Sequence, residues 1–169
     1  DSEAPMEQMV QTAIAKGLKH ICFTEHQDFD FPYETTGNPP GMWDLNADSY
    51  LYELLKMRNK YSSQIKIHFG VEIGLQPQVV RQNLIFAREH EYDFIIASSH
   101  LCNRKDPYLK EFFEGRPEKE GYHEYFQYIS ECIRSFQNVA VYGHLDYVLR
   151  YGPTRNENFS FGEYNEDID

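Results

Sequence analysis

The residues best suited to chemistry lie at the ends of four apolar runs. The run from Ile65 ends in Glu72, a lone carboxylate flanked by glycines. The other three runs reach His26, His100 and His144. An isolated ionised carboxylate is very costly to bury, so Glu72 needs a cation. Mixed imidazole and carboxylate ligands suit zinc, manganese or iron better than magnesium or calcium. Such a centre would turn bound water into hydroxide near neutral pH and would neutralise the charge of a phosphate.

The elements around these residues follow an alternating pattern. The apolar runs predict strands, and helical spacing predicts helices over about 5–16, 47–61, 78–90 and 122–136. Strict alternation predicts an α/β fold of parallel βα repeats. In such an array the carboxyl ends of the strands emerge on one side, where active sites collect. We therefore expect the four strand-end residues to converge on one site.

Three arginines follow the predicted strands where they could bind a phosphate. Arg104 comes after His100, and Arg150 and Arg155 come after His144. Arginine can contact phosphate through two parallel hydrogen bonds. An arginine in such a position is more often an ordinary surface residue, and among the three we favour Arg150.

Acidic residues beside the histidines leave two alternatives open. Asp146 could bind a metal, or it could orient His144 from behind. Glu25 or Asp28 could take part in place of His26. The other histidines lie away from the carboxyl ends of the predicted strands; they are His20, His68, His90 and His123, the last of which opens a predicted helix and is expected to be solvated.

A long connection without periodicity, from about Glu25 to Asn46, is typical of a functional loop. Its Tyr33 and Trp43 could form a lid over an imidazole-sized substrate. They could equally fill a small core of the loop itself.

Composition restricts the class of protein. The 169 residues suit one domain with a sizeable core, and the net charge of −11 argues against a nucleic-acid surface. Three cysteines without a CxxC motif favour a reduced, cytoplasmic setting. No apolar run of membrane-spanning length occurs in the sequence.

The motifs in their order along the chain resemble the polymerase and histidinol phosphatase (PHP) family. They are Asp1-Ser2-Glu3, Thr24-Glu25-His26, Gly70-Val71-Glu72-Ile73-Gly74, Ser98-Ser99-His100 and Gly143-His144-Leu145-Asp146. The stretch 143–152 is most similar to the family's histidinol-phosphatase branch. The resemblance implies a distorted (β/α)7 barrel, similar to a TIM barrel, with a metal centre that hydrolyses L-histidinol phosphate to L-histidinol and phosphate.

The resemblance also implies a set of two to three divalent ions and their ligands. Glu72 would bridge two ions, His100 and His144 would hold the second, and Asp1 with His26 would hold the third. The family's His-x-His motif is expected upstream of Asp1 and its Asp-x-His motif downstream of Asp169. The chain is thus expected to be a single but partial PHP domain over residues 1–169.

Two other functions remain open. One is a phosphodiesterase or exonuclease on the same scaffold, against which the acidic composition argues. The other is a catalytically inactive PHP-like interaction module.

Overall fold

The computed structural model describes residues 4–155 and 157–168, in which helices and strands alternate. The helices are α1 (Met6–Ala15), α2 (Tyr33–Thr36), α3 (Ala47–Lys60), α4 (Val80–Glu89), α5 (Glu118–Ser135) and α6 (Asn165–Ile168). The strands are β1 (His20–Gln27), β2 (Lys66–Gly74), β3 (Phe94–Ser98) and β4 (Val141–Tyr142). Single turns of 3-10 helix lie at Pro77–Val79, Lys110–Phe112, Tyr147–Arg150 and Phe161–Glu163. Asp1, assigned above to a metal, lies outside the described residues.

The four strands form one parallel sheet in the order β1-β2-β3-β4. The predicted α/β fold of parallel βα repeats is confirmed. The register pairs His26 with Glu72, and Glu72 with Ile96. Paired residues point to the same face, so the side chains of His26 and Glu72 leave the sheet side by side.

The opposite face of the sheet is buried beneath the helices. Val71 and Ile73 of β2 are fully buried and belong to one core with Tyr125 and Ile129 of α5. A second core joins α1 and α3 to the first two strands through Val10, Leu54, Phe23, Ile67 and Phe69. Burying one such side chain contributes about 1.5–3 kcal/mol, so the amphipathic helices hold the sheet in place.

The loop after β1 folds back on itself. The backbone N–H of Asp28 donates to the carbonyl oxygen of Trp43 at 2.9 Å, and the Trp43 N–H donates to the Tyr33 hydroxyl at 3.0 Å. Gln27 accepts a hydrogen bond from the N–H of Leu45 at 2.9 Å. The short helix α2 lies within this loop. These bonds place Asp28 and Trp43 firmly beside the end of β1.

Two predicted elements differ from those observed. Helix α5 begins at Glu118 rather than Tyr122, since Pro117 precedes a first turn whose acids suit the positive end of the helix dipole. His123 therefore lies inside the helix rather than at its start; its Nδ1 hydrogen-bonds the Asp167 carboxylate of α6, and the half-buried side chain is less solvated than expected. Strand β4 is only two residues long.

None of the helices among the described residues is long and apolar enough to cross a membrane.

Candidate metal centre

Glu72 lies at the centre of a cluster of imidazoles. Its Oε1 is 3.0 Å from Nε2 of His100 and 3.1 Å from Nε2 of His144. Its Oε2 is 3.8 Å from Nε2 of His26. The four side chains come from the ends of β1 and β2 and from the residues just after β3 and β4. The structure thus brings together the four residues that the strand-end argument singles out.

Asp28 belongs to the same cluster. Its carboxylate is only 4% exposed, and Oδ1 is 2.7 Å from Nδ1 of His100. A Cβ at Gly74 would overlap this carboxylate, so the glycine makes room for it. The sequence named Asp28 only as an alternative to His26. The structure places both residues in the cluster.

The acids and histidines of the cluster stabilise one another's charged forms. Burial acts to raise the pKa of Glu72, but hydrogen bonds from His100 and His144 hold that pKa well below its usual range. Burial also opposes a charged His100, yet Asp28 and Glu72 raise the pKa of His100 to about 10. Burial lowers the pKa of His26, which favours its neutral form. Asp28 and Glu72 therefore stabilise a positive charge where His100 lies.

The donor set fits a transition-metal ion. One ligand atom from each of His26, Glu72 and His100 lies within 4.8 Å of the other two. His144 adds a further nitrogen beside Glu72, and its Nδ1 is buried with no hydrogen-bond partner among the residues that the structure describes. Buried polar atoms are seldom left without a partner except at functional sites. Imidazole nitrogens with a shared carboxylate suit zinc, manganese or iron.

A cavity of about 550 Å³ opens above the histidines. Its walls combine aromatic and polar side chains. They include Phe31, Trp43, Tyr108, Tyr147 and Tyr151 among the aromatic residues, and Thr36, Asn38, Asp106 and Arg150 among the polar ones. This volume lies within the range of sites for small organic ligands.

Asp106 is a site residue that the sequence did not indicate. Its Oδ1 accepts hydrogen bonds from the N–H of Tyr108 at 2.9 Å and from the hydroxyl of Tyr147 at 3.3 Å. Burial raises the pKa of this carboxyl group. Asp106 lies in a loop rich in charged residues, where no pattern distinguishes it from its neighbours.

The predicted phosphate-binding arginines take different positions. Among the described residues, Arg150 is the arginine that lines the cavity. Arg104 forms an ion pair with Asp30. The side chain of Arg155 is exposed, while its carbonyl oxygen accepts a hydrogen bond from Tyr122 at 2.8 Å.

The predicted supporting acids lie away from the metal cluster. Asp146 is exposed, and its Oδ1 is 3.5 Å from Nη2 of Arg150. Glu25 is also exposed, and it lies on the opposite face of β1 from His26 because neighbouring residues of a strand point to opposite sides. Asp146 was expected to orient His144 from behind. In the structure it is Asp28 that contacts a histidine of the cluster in this way, and that histidine is His100.

Comparison with known proteins identifies the family. The model of the PHP domain matches residues 1–168. The chain belongs to the PHP domain family. A histidinol-phosphatase of Lactococcus lactis subsp. lactis (strain IL1403) is 35% identical over 168 residues, which make up 98% of this chain and 60% of the relative.

Solved structures agree with this PHP assignment. The crystal structure of the L. lactis histidinol phosphate phosphatase, complexed with zinc, L-histidinol and phosphate, superposes with a TM-score of 0.87 at 34% identity. The match covers 99% of this chain and 63% of that one. A Listeria monocytogenes structure superposes with a TM-score of 0.76 at 17% identity, which shows the fold alone. The parallel sheet described above is thus part of a TIM-like PHP barrel, and the chain spans about three fifths of the length of its L. lactis relative.

Proposed function

We propose that this protein is a metal-dependent phosphomonoester hydrolase that converts L-histidinol phosphate and water to L-histidinol and phosphate, as in histidine biosynthesis. The observation that carries the proposal is the Glu72 carboxylate, surrounded by three strand-end histidines at the base of a cavity that Arg150 lines. The similarity to the L. lactis enzyme supports the same chemistry.

Two to three divalent ions would act at this site, and zinc is our first choice. Oε1 of Glu72 lies against His100 and His144, while Oε2 lies nearer His26, so the two oxygens are available to different ions. This arrangement supports a bridging role for Glu72. His26 and Asp1 would hold a separate ion. The ions would supply a hydroxide at neutral pH and neutralise the charge of the phosphate.

Residues of this chain would hold and orient the substrate. Arg150 lines the cavity, and its guanidinium, now 3.5 Å from Asp146, would bind a phosphate oxygen, a contact in which both partners are charged. Arg104 and Arg155 remain weaker candidates for this contact. The aromatic walls suit the imidazole ring of histidinol, and Trp43 lies edge-on to His26, with 5.6 Å between the ring centroids. Asp106 would accept a hydrogen bond from an N–H of the imidazole or the amine.

Asp28 would fix the tautomer of His100. A histidine that binds a metal through one nitrogen commonly donates its other N–H to a carboxylate. Nδ1 of His100 would donate to Asp28, leaving the lone pair of Nε2 for the ion shared with Glu72. The aromatic walls would keep bulk water from the reacting phosphate, so charge interactions in the cavity would be strong.

The direct test is phosphate release from histidinol phosphate by the purified protein supplied with zinc or manganese. The Glu72→Gln variant keeps the size of the side chain but loses its charge. We expect this variant to lose both turnover and bound metal, measured by elemental analysis. A Glu72→Gln protein that retained full activity with no metal would overturn the proposal.

The same assay separates the alternatives. Release of nucleotides from single-stranded DNA, without release of phosphate from histidinol phosphate, would favour an exonuclease. The net charge of −11 argues against that result and against nucleic-acid partners generally. A folded protein that binds little metal and is inactive on both substrates would favour the interaction module.

We further propose that residues 1–169 belong to one PHP domain, of which they are a part, and that the protein works in the cytoplasm without a membrane partner. The three cysteines, Cys22, Cys102 and Cys132, are free thiols, which fits a reducing compartment.

A further inference from the structure

A second group of metal-binding side-chain types lies at the other end of the first two strands. His20 and Cys22 are two residues apart on β1, and the register pairs Cys22 with His68 on β2. Residues i and i+2 of a strand, together with the partner residue on the next strand, point to the same face of a sheet. His20 lies six residues before His26, or about 20 Å along the strand, so this group is separate from the Glu72 site.

The two histidines already contact each other through ring nitrogens. Nδ1 of His20 is 2.9 Å from Nε2 of His68, and the ring planes lie within 9° of each other. Two nitrogen lone pairs at this distance need a proton or a cation between them. Two nitrogens bound to one tetrahedral zinc ion at about 2.0–2.1 Å would be roughly 3.3 Å apart. A movement of a few tenths of an ångström, with a rotation of the rings, would therefore admit an ion.

Cys22 would supply a third donor after a rotation of its side chain, because its Sγ does not yet lie within 4.8 Å of a nitrogen of each ring. Its thiol is free and the side chain is exposed. Sγ lies 3.6 Å from the carbonyl oxygen of Phe23 and leans over Gly70, where an added Cβ would be only 2.7 Å from Sγ. Since His68 and Gly70 are on the same face of β2, rotation about the Cα–Cβ bond of Cys22 can carry the thiol towards His68.

The surroundings of His68 resemble those of a metal ligand. Its Nδ1 is 3.8 Å from Oδ2 of Asp93. That carboxylate is fixed by Arg58 at 2.6 Å and by the backbone N–H of Phe69 at 2.8 Å. At 3.8 Å this is a charge contact rather than a hydrogen bond, and a small rotation of the His68 ring would form the hydrogen bond to a carboxylate that commonly orients metal-binding histidines.

We propose that His20, Cys22 and His68 form a second transition-metal site that takes Zn²⁺ or another thiophilic divalent ion. Thiolate and imidazole ligands select such ions over magnesium and calcium. On binding, the Cys22 thiol proton leaves to solvent. The proton between the two rings passes to a ring nitrogen that faces away from the ion. Water completes the four-coordinate shell.

Titration with Co²⁺ tests the proposal, because a cobalt–thiolate bond gives a charge-transfer absorption that nitrogen and oxygen ligands do not. The Glu72 site contains no sulfur ligand among the described residues, and Cys102 and Cys132 are buried. We expect the purified protein to develop this band as it takes up one equivalent of ion beyond those bound at the Glu72 site. Cys22→Ser should abolish it, and His68→Ala should weaken cobalt binding at least tenfold. Glu72→Gln should keep the band, and so should the control His90→Ala, since His90 instead faces Asp48.

A second measurement on the unaltered protein guards against a variant that fails to fold. Zinc should slow the alkylation of Cys22 by iodoacetamide at least tenfold, as followed by mass spectrometry of the peptide. Absence of the cobalt band together with unchanged alkylation would overturn the proposal and leave His20 and His68 as a hydrogen-bonded pair only. A cobalt band that survives in Cys22→Ser would overturn it as well.

Discussion

The carboxylate of Asp28 holds Nδ1 of His100 at 2.7 Å, while Nε2 of the same ring faces Glu72 at 3.0 Å. The imidazole is therefore fixed from both sides, by a residue of the loop after β1 and by a residue of β2. This contact connects the loop to the metal cluster. It also explains why Gly74 has no side chain, since a Cβ there would displace Asp28.

Replacing Asp28 by Asn should weaken metal binding without unfolding the protein. The amide keeps the shape of the side chain but removes the charge that orients His100, and loss of such a partner typically costs 10–100-fold in affinity. Competition with a chromophoric zinc chelator measures the change. Asp30→Asn is the matched control, because Asp30 pairs with Arg104 and does not line the cavity. Equal zinc affinity for both variants would contradict the role given to Asp28.

Replacing Arg150 by Ala should lower kcat/KM for histidinol phosphate by roughly 10- to 100-fold. A hydrogen bond to a charged group is worth about 1.5–3 kcal/mol, and each 1.4 kcal/mol is a factor of ten. Steady-state assays of phosphate release give the value. Arg104→Ala is the control and should change kcat/KM less than threefold, because Arg104 does not line the cavity. If kcat/KM fell more in Arg104→Ala than in Arg150→Ala, Arg104 rather than Arg150 would be the residue that binds the phosphate.

The sequence was sufficient to predict the sheet and the convergence of the histidines, for a physical reason. Parallel strands joined by helices have their carboxyl ends on one side of the sheet. Ionisable residues at those ends therefore lie close together, and this does not depend on the conformation of the loops. The PHP resemblance rests on the same residues. The rest of the site depends on loops, which have no periodicity to read.

The supporting acids illustrate this difference. Asp146 was a candidate because it lies two residues from His144, but it is exposed and its carboxylate faces Arg150 rather than a histidine. Asp28 is buried because the backbone of its loop bonds to Trp43 and because Gly74 leaves room, and both contacts join positions distant in sequence. Asp106 depends in the same way on Tyr147, 41 residues later.

Replacing Tyr50 by Phe should destabilise the protein by about 1–3 kcal/mol. The hydroxyl of this buried side chain donates towards the carbonyl oxygens of Phe23 at 2.8 Å and Gly70 at 3.0 Å, and so connects α3 to β1 and β2. Its removal deletes both of these buried hydrogen bonds. Urea unfolding followed by circular dichroism measures the loss. The control Tyr52→Phe changes an exposed residue of the same helix and should stay within about 0.5 kcal/mol of the parent.

Replacing Glu118 by Gln should destabilise the protein in a pH-dependent way. Glu118, at the start of α5, accepts hydrogen bonds from the N–H of Thr154 at 2.8 Å, from the Thr154 hydroxyl at 2.6 Å and from the Tyr122 hydroxyl at 2.7 Å. Burial acts to raise the pKa of Glu118, but these bonds outweigh it and lower the pKa below the ordinary value of 4.5. A carboxylate with a lowered pKa in the folded state adds stability that is present above pH 4.5 and is lost as the pH falls through the folded-state pKa.

We therefore expect Glu118→Gln to lose about 1–3 kcal/mol of unfolding free energy at pH 7. The difference in unfolding free energy between the two proteins should narrow at about pH 3.5. Urea unfolding at both pH values measures it, with the exposed Glu120→Gln as control. A gap of the same size at both pH values would mean that the charge of Glu118 does not contribute and that only the shape of its side chain does.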